Sequence, residues 1–220
     1  RAGIVHRLDK DTTGLVVVAK NRLAFDSLTM QILKRNIRRN YLALVWGNVP
    51  KKIEIEGKIE RDKANRLRFM ISKTDKGKFA HTTVIPIGTG HVQNQQVTLV
   101  KCILNTGRTH QIRVHMEGVG HPIVGDLLYK RGSPRALREK VMARQALHAF
   151  SLAFYDPIKK YPMTFQVLPP DDLKKQIREA EVILEQQYKI KKPKEEKVQS
   201  TIDTKDTTWE YSPQDDEEDD

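Results

Sequence analysis

His6-Arg7-Leu8-Asp9-Lys10-Asp11-Thr12-Thr13-Gly14 sets an arginine and a carboxylate two residues apart, ahead of a polar turn closed by glycine. An apolar lead-in (Gly3, Ile4, Val5) precedes it, and a second apolar run spans residues 15–19. Read as strands over residues 4–8 and 15–19, the two runs flank the turn. The period-two geometry of a strand then puts Arg7 and Asp9 on one face. A guanidinium and a carboxylate at such a turn suit the mouth of an active site, and equally a surface ion pair. The turn also imitates a calcium loop, with Asp9, Asp11, Thr13 and Gly14 at the first, third, fifth and sixth positions. The twelfth position, which needs a bidentate Glu, is Lys20, and this excludes an EF-hand.

Outward from the turn, Asn21 can cap a helix over residues 22–34, whose Phe25, Leu28 and Ile32 fall at helical spacing. A short apolar strand follows at residues 41–45. Alternation at Ile53/Ile55/Ile59 and at Leu67/Phe69/Ile71 predicts further strands. Residues 82–87 and 97–104 read as two more, separated by a glycine-rich turn around Gly88 and Gly90. Helices are expected over residues 109–116 and 134–144, then strands at 146–155 and 163–168. Asp171 or Asp172 caps a last helix running to about Gln187. The pattern is that of an α+β domain over residues 1–185, with a mixed, mainly antiparallel sheet and flanking helices. Residues 186–220 have few apolar side chains and read as a disordered tail, basic and then acidic.

The 220 residues carry 39 Lys and Arg against 28 Asp and Glu, a formal net charge of +11. Eight of those acids, and no base, lie in the last fifteen residues, which leaves +19 on residues 1–205. So basic a body is the electrostatic footprint of a nucleic-acid binder. No apolar run approaches membrane-spanning length and nothing resembles a signal peptide, so a cytoplasmic protein without membrane contact is expected. The chain opens on Arg1 with its densest motif almost at once, which reads as a fragment of a longer protein. The single Cys102 excludes an internal disulfide and a Cys-rich metal site.

Thr106-Gly107-Arg108-Thr109-His110-Gln111-Ile112-Arg113-Val114-His115 is the second dense segment. On a helix beginning near Thr109, Ile112 and Met116 face the core, and Arg113 lies one step round, at the buried edge. A partly buried arginine needs a carboxylate, and Asp9 is the candidate. Alternatively, Arg108 and Arg113 bind RNA phosphate from the helix N-terminus. His110, His115 and His121 lack a carboxylate or thiol at a ligand spacing, so no metal is expected. Gly77-Lys78 lacks the upstream glycine of a phosphate loop. Tyr41, in Arg38-Arg39-Asn40-Tyr41-Leu42-Ala43-Leu44-Val45, is by itself most simply a packing residue.

His6-Arg7-Leu8-Asp9-x-x-Thr12-Thr13-Gly14 resembles the aspartate motif of RluA-type pseudouridine synthases. Tyr41-Leu42-Ala43-Leu44-Val45-x-Gly47 is similar to that family's tyrosine motif, and residues 106–115 to its arginine motif. Two further segments, 120–126 and 144–149, resemble the family as well. The likeness covers about residues 1–180, and its wording is closest to the branch acting on large-subunit ribosomal RNA.

The resemblance implies the family's catalytic fold, here without its N-terminal strands or an S4-like domain ahead of them. It implies an isomerase that converts uridine to pseudouridine in RNA, needs neither cofactor nor metal, and acts as a monomer. Asp9 would work at the sugar–base bond of a flipped-out nucleotide, Arg113 would keep it ionised, and Tyr41 would stack on uracil and take the carbon-bound proton. Arg7 would fill the vacated stack, with Arg108, His110 and Gln111 binding RNA. A non-catalytic RNA-binding relative, or a synthase acting on transfer RNA, are the alternatives.

Overall fold

In the computed structural model the described residues are 3–131, 133–134 and 141–184. One sheet organises them, built from β1 (Thr13–Gly14), β2 (Arg38–Trp46), β3 (Ile53–Arg61), β4 (Phe69–Ile71), β5 (Lys78–Val92), β6 (Gln95–Leu104), β7 (Leu147–Tyr155), β8 (Pro162–Gln166) and β9 (Ile183–Leu184). The strand order is β1-β7-β2-β6-β5-β3-β4, with β8 on β7 and β9 on β5. Every pairing is antiparallel except that of β1 with β7. The described residues also form three helices: α1 (Arg22–Leu33), α2 (Gln111–Gly118) and α3 (Asp171–Glu179). None of the described helices is long and apolar enough to cross a membrane.

The near-continuous apolar run of β2 explains its central place. Ala43, Leu44, Val45 and Trp46 are all buried, as expected of a strand covered on both faces. Each large aliphatic side chain so buried contributes about 1.5–3 kcal/mol. Ile112 and Met116 of α2 join the same core, as their spacing predicts. Helix α1 begins as read from sequence: the Asn21 side chain accepts from the Ala24 amide at 2.9 Å, and Leu28 packs with Ile37 and Leu152.

Several expectations are corrected. Residues 4–8 and 15–19 do not form two regular strands; they share one isolated bridge, Ile4 to Val18. Their backbone groups go elsewhere: the Val17 amide donates to the His6 ring, and the Leu15 amide to the Ala149 carbonyl. The β5–β6 hairpin turns at Gln93-Asn94, both left-handed (φ 45° and 65°), and not at Gly88 and Gly90. Gly90 instead lies inside β5, where a Cβ would stand 2.1 Å from the Ala180 carbonyl oxygen. Helix α2 starts two residues late because His110 is left-handed (φ 55°). Helix α3 stops at Glu179, where Glu181 turns left-handed (φ 48°) into β9, and its N-cap is Pro170, so Asp171 and Asp172 lie within the first turn. Residues 141–144 are not helical, and the rest of the helix expected over 134–144 lies largely outside the described residues, as does the tail 186–220.

Burial holds two imidazoles neutral. The His6 pKa falls from 6.5 to about 4 through desolvation and then the Arg39 charge, and that of His115 to about 4 through desolvation and then His81. The unfolded chain therefore binds more protons between pH 6.5 and about 4, and stability rises with pH across that window. Lowering the pH from 7 to 5 is expected to cost up to about 2 kcal/mol per histidine, read as a lower urea midpoint. His115→Asn should remove part of the loss, and a midpoint unchanged between the two pH values would refute the assignment.

Candidate active site

A cavity of about 310 Å³ opens where the sheet brings three distant segments together. The turn before β1, the start of β2 and the loop after β6 supply its walls, including Arg7, Asp9, Arg39, Tyr41, Gly107 and Arg108. Strand order explains the convergence: β2 is flanked by β7, which holds β1, and by β6, which feeds the loop into α2.

The Asp9 turn is built from local and remote contacts. The Thr12 amide donates to the Asp9 carbonyl at 3.1 Å, and Asp11 is left-handed (φ 66°). Gly14 is obligatory, because at φ 119° any Cβ would stand 2.3 Å from the Ala149 carbonyl oxygen. Residues 144–148 then clamp the turn. The Gln145 amide donates to the Lys10 carbonyl at 2.6 Å and to the Thr12 hydroxyl at 3.1 Å. Thr13 meets His148 Nδ1 at 2.9 Å, while the other ring nitrogen faces the Val167 carbonyl at 3.2 Å. With a proton on Nε2, the ring donates to Val167 and accepts the Thr13 hydroxyl. Arg144 reaches the Asp11 carbonyl at 3.3 Å and is itself held by Asp172 at 2.7 and 2.9 Å. Gln145→Ala removes two part-buried hydrogen bonds, about 1–3 kcal/mol of local cost at about 0.5–1.5 kcal/mol each. It is expected to speed amide exchange at residues 10–13 at least about tenfold, with the α1 amides unchanged as the internal control.

Arg113 does reach Asp9, at 3.8 Å from Nη1 to the carboxylate, but its main partner is another residue. Asp126 grips it bidentately, Nε at 2.7 Å and Nη2 at 2.9 Å. Asp126 also accepts the amides of Leu128 and Tyr129, each at 2.9 Å. The guanidinium lies over the Tyr129 ring, 4.9 Å from its centre. Burial alone would lower the Arg113 pKa; hydrogen bonds to Asp126, with the charges of Asp126 and Asp9, hold it above its ordinary value. Asp126 thus turns the fork so that one arm is left for Asp9. Sequence reading missed this residue. Its signal was only an acid after Gly125 in a segment of family likeness, with nothing in the spacing to tie it to Arg113.

Tyr41 is buried, and desolvation lifts its phenol to about 12, with the Arg39 charge pulling it down and Asp9 pushing it up. Of the residues expected to bind RNA, Arg7 is exposed at the cavity wall, and Arg108 lines it while its Nε donates to the Phe79 carbonyl at 2.8 Å. His110 instead hydrogen-bonds Tyr129 at 2.8 Å, and burial lowers its pKa. Gln111 borders the cavity but is buried, and its amide is consumed inside the protein. Its oxygen accepts from Thr106 and the Arg108 amide, and its nitrogen donates to the His81 carbonyl and Thr82. That leaves Gln111 no free donor or acceptor for RNA. Among the described residues no cluster of His, Cys, Asp and Glu could hold a metal.

Residues 1–118 match the family model described as RNA pseudouridylate synthase. The chain is 43% identical over 182 residues to ribosomal large subunit pseudouridine synthase D of Neisseria meningitidis, covering 79% of this chain and 46% of that protein. Similar values, 42% over 176 residues, relate it to the protein of that name from Nitrosomonas europaea. The chain spans about half the length of these curated relatives. Among solved structures, human RNA pseudouridylate synthase domain containing 1 superposes with a TM-score of 0.65 at 30% identity, over 76% of this chain and 68% of that one.

Proposed function

The chain belongs to the RNA pseudouridylate synthase family, and from that premise we propose that it isomerises uridine to pseudouridine in large-subunit ribosomal RNA, in the cytoplasm. The observation that carries the reading is Asp9, held by the 144–148 clamp at a cavity it shares with Tyr41, with one arm of Arg113 at 3.8 Å. The names of the similar bacterial proteins support ribosomal RNA as the substrate class.

The chemistry breaks the bond from C1′ to N1 of uracil and forms one from C1′ to C5; the C5 proton leaves and N1 gains one, so atoms balance without redox. Positive charge develops at C1′ as the base departs, and an ionised carboxylate beside it can meet or trap that charge. Asp9 is that carboxylate. The Arg113 guanidinium stands 3.8 Å from it as its cationic neighbour, and Asp126 keeps the guanidinium in place. Tyr41 offers a ring on which the detached uracil can turn without leaving. A paired base is out of reach, so the nucleotide must be flipped out of its helix, and exposed Arg7 stands at the rim to fill the gap.

The test uses large-subunit ribosomal RNA carrying tritium at uracil C5. Release of tritium to water in proportion to pseudouridine formed is the expected result. No release, with RNA binding intact, overturns the proposal. Tyr41→Phe keeps the platform and removes the hydroxyl; if that oxygen takes the C5 proton, release slows by on the order of 10²–10⁴-fold with RNA affinity kept. Wild-type turnover in this variant would leave Tyr41 the stacking role alone.

A further inference from the structure

One charged group in the cavity has no task in the chemistry above. Arg39 lies two residues before Tyr41 on β2, lines the cavity, and forms no ion pair among the described residues. Its Nε is sealed from solvent and has no hydrogen-bond partner. The fork is set against Gly107, where a Cβ would stand 2.5 Å from Nη1 and 3.1 Å from Nη2. The absence of a side chain at Gly107 is what leaves room for the guanidinium to approach the loop that follows β6 this closely. Burial lowers its pKa, and no carboxylate counters the effect. An unpaired internal cation is expensive, and the cavity wall already carries Arg7 and Arg108 against the single carboxylate of Asp9. A neutral carbonyl would satisfy the N–H groups and leave the charge unmatched. A phosphate on the terminal nitrogens matches the charge as well, and the planar fork of arginine can hold it bidentately through Nη1 and Nη2.

We propose that Arg39 is a phosphate-binding residue, taking the backbone phosphate of the same nucleotide whose base rests on Tyr41. Alternate residues on one strand face are about 7 Å apart, so the base on Tyr41 brings its own backbone to Arg39. The assignment rests on the reading of the site as a uridine isomerase. It adds the anchor that holds the flipped nucleotide by its charge while its base is detached from the sugar.

Two measurements test it. In the first, the Nε–H resonance of Arg39, identified by its loss in Arg39→Lys, is followed by NMR in the full chain. Uridine 5′-monophosphate or 3′-monophosphate should shift it saturably. An equal response to uridine, or to inorganic phosphate at the same concentration, overturns the proposal, as does no response to either nucleotide. The second compares tritium release over a potassium chloride series. Arg39→Gln should lower kcat/KM about tenfold or more, mainly through KM. Its log–log salt dependence should be shallower by about 0.7–0.9. Arg39→Lys, which keeps the charge, should restore the wild-type slope; thermal melts of both variants check folding. A wild-type slope in Arg39→Gln means that no phosphate is lost and overturns the proposal. Because the first measurement needs no turnover, a nucleotide-specific shift in a chain that releases no tritium would sink the isomerase reading and spare the phosphate site. Turnover with a silent Arg39 would do the reverse.

Discussion

Asp9→Asn abolishes tritium release, by on the order of 10³–10⁴-fold, while affinity for the same RNA stays within about threefold. The substitution is nearly isosteric, and the turn is held through backbone and neighbouring side chains: the Asp9 carbonyl by Thr12, Lys10 by Gln145, and Thr13 by His148. The loop should therefore keep its shape. What disappears is the negative charge of the only carboxylate among the cavity-lining residues. An amide cannot trap or balance charge at C1′, so the loss falls on kcat and kcat/KM together. Filter binding alongside the release assay separates chemistry from affinity. Undiminished turnover would remove Asp9 from the mechanism.

Asp126→Ala is expected to lower unfolding free energy by about 3–5 kcal/mol, because it leaves the buried Arg113 with only the 3.8 Å contact to Asp9. Two amides, of Leu128 and Tyr129, lose their acceptor in the same step. The drop is read as a shift in urea midpoint at constant slope. Arg113→Met combined with Asp126→Leu should recover much of the stability, since both charges leave together. That double variant should still fail to release tritium, for Asp9 then lacks its guanidinium. A midpoint shift of under about 1 kcal/mol in Asp126→Ala would show that Arg113 finds Asp9 as a replacement partner.

Local rules were legible wherever the sequence had no competing solution. Asn21 caps α1 because its partner amide is three residues away, and β2 was legible because its apolar run has no other use. The β5–β6 turn was not, because Gly88 and Gly90 offered a stronger turn signal than Gln93-Asn94. Those glycines answer a tertiary demand, the approach of the chain at Ala180 and β9. The candidate site divides in the same way. Asp9, Tyr41 and Arg113 sit in motifs and could be named. Asp126, Gln145 and His148 act across 13 to 135 positions, and although their segments resemble the family, nothing in the spacing ties them to their partners. Gln111 shows the converse: a polar residue inside a motif whose bonds all turn inward.

Thr13 and His148, partners in the register of β1 with β7, lie 135 positions apart. At about 5–20 residues per second, a ribosome adds His148 roughly 7–27 s after Thr13. Until then, the turn that bears Asp9 has no parallel strand to lie against and no clamp to hold it. Contacts this distant in sequence also form slowly. The turn is therefore among the last parts of the site to take shape, and a nascent chain cut short of the 144–148 segment carries its aspartate on an unfastened loop. A polypeptide that stops before residue 144 thus carries all three sequence motifs and still lacks an assembled site.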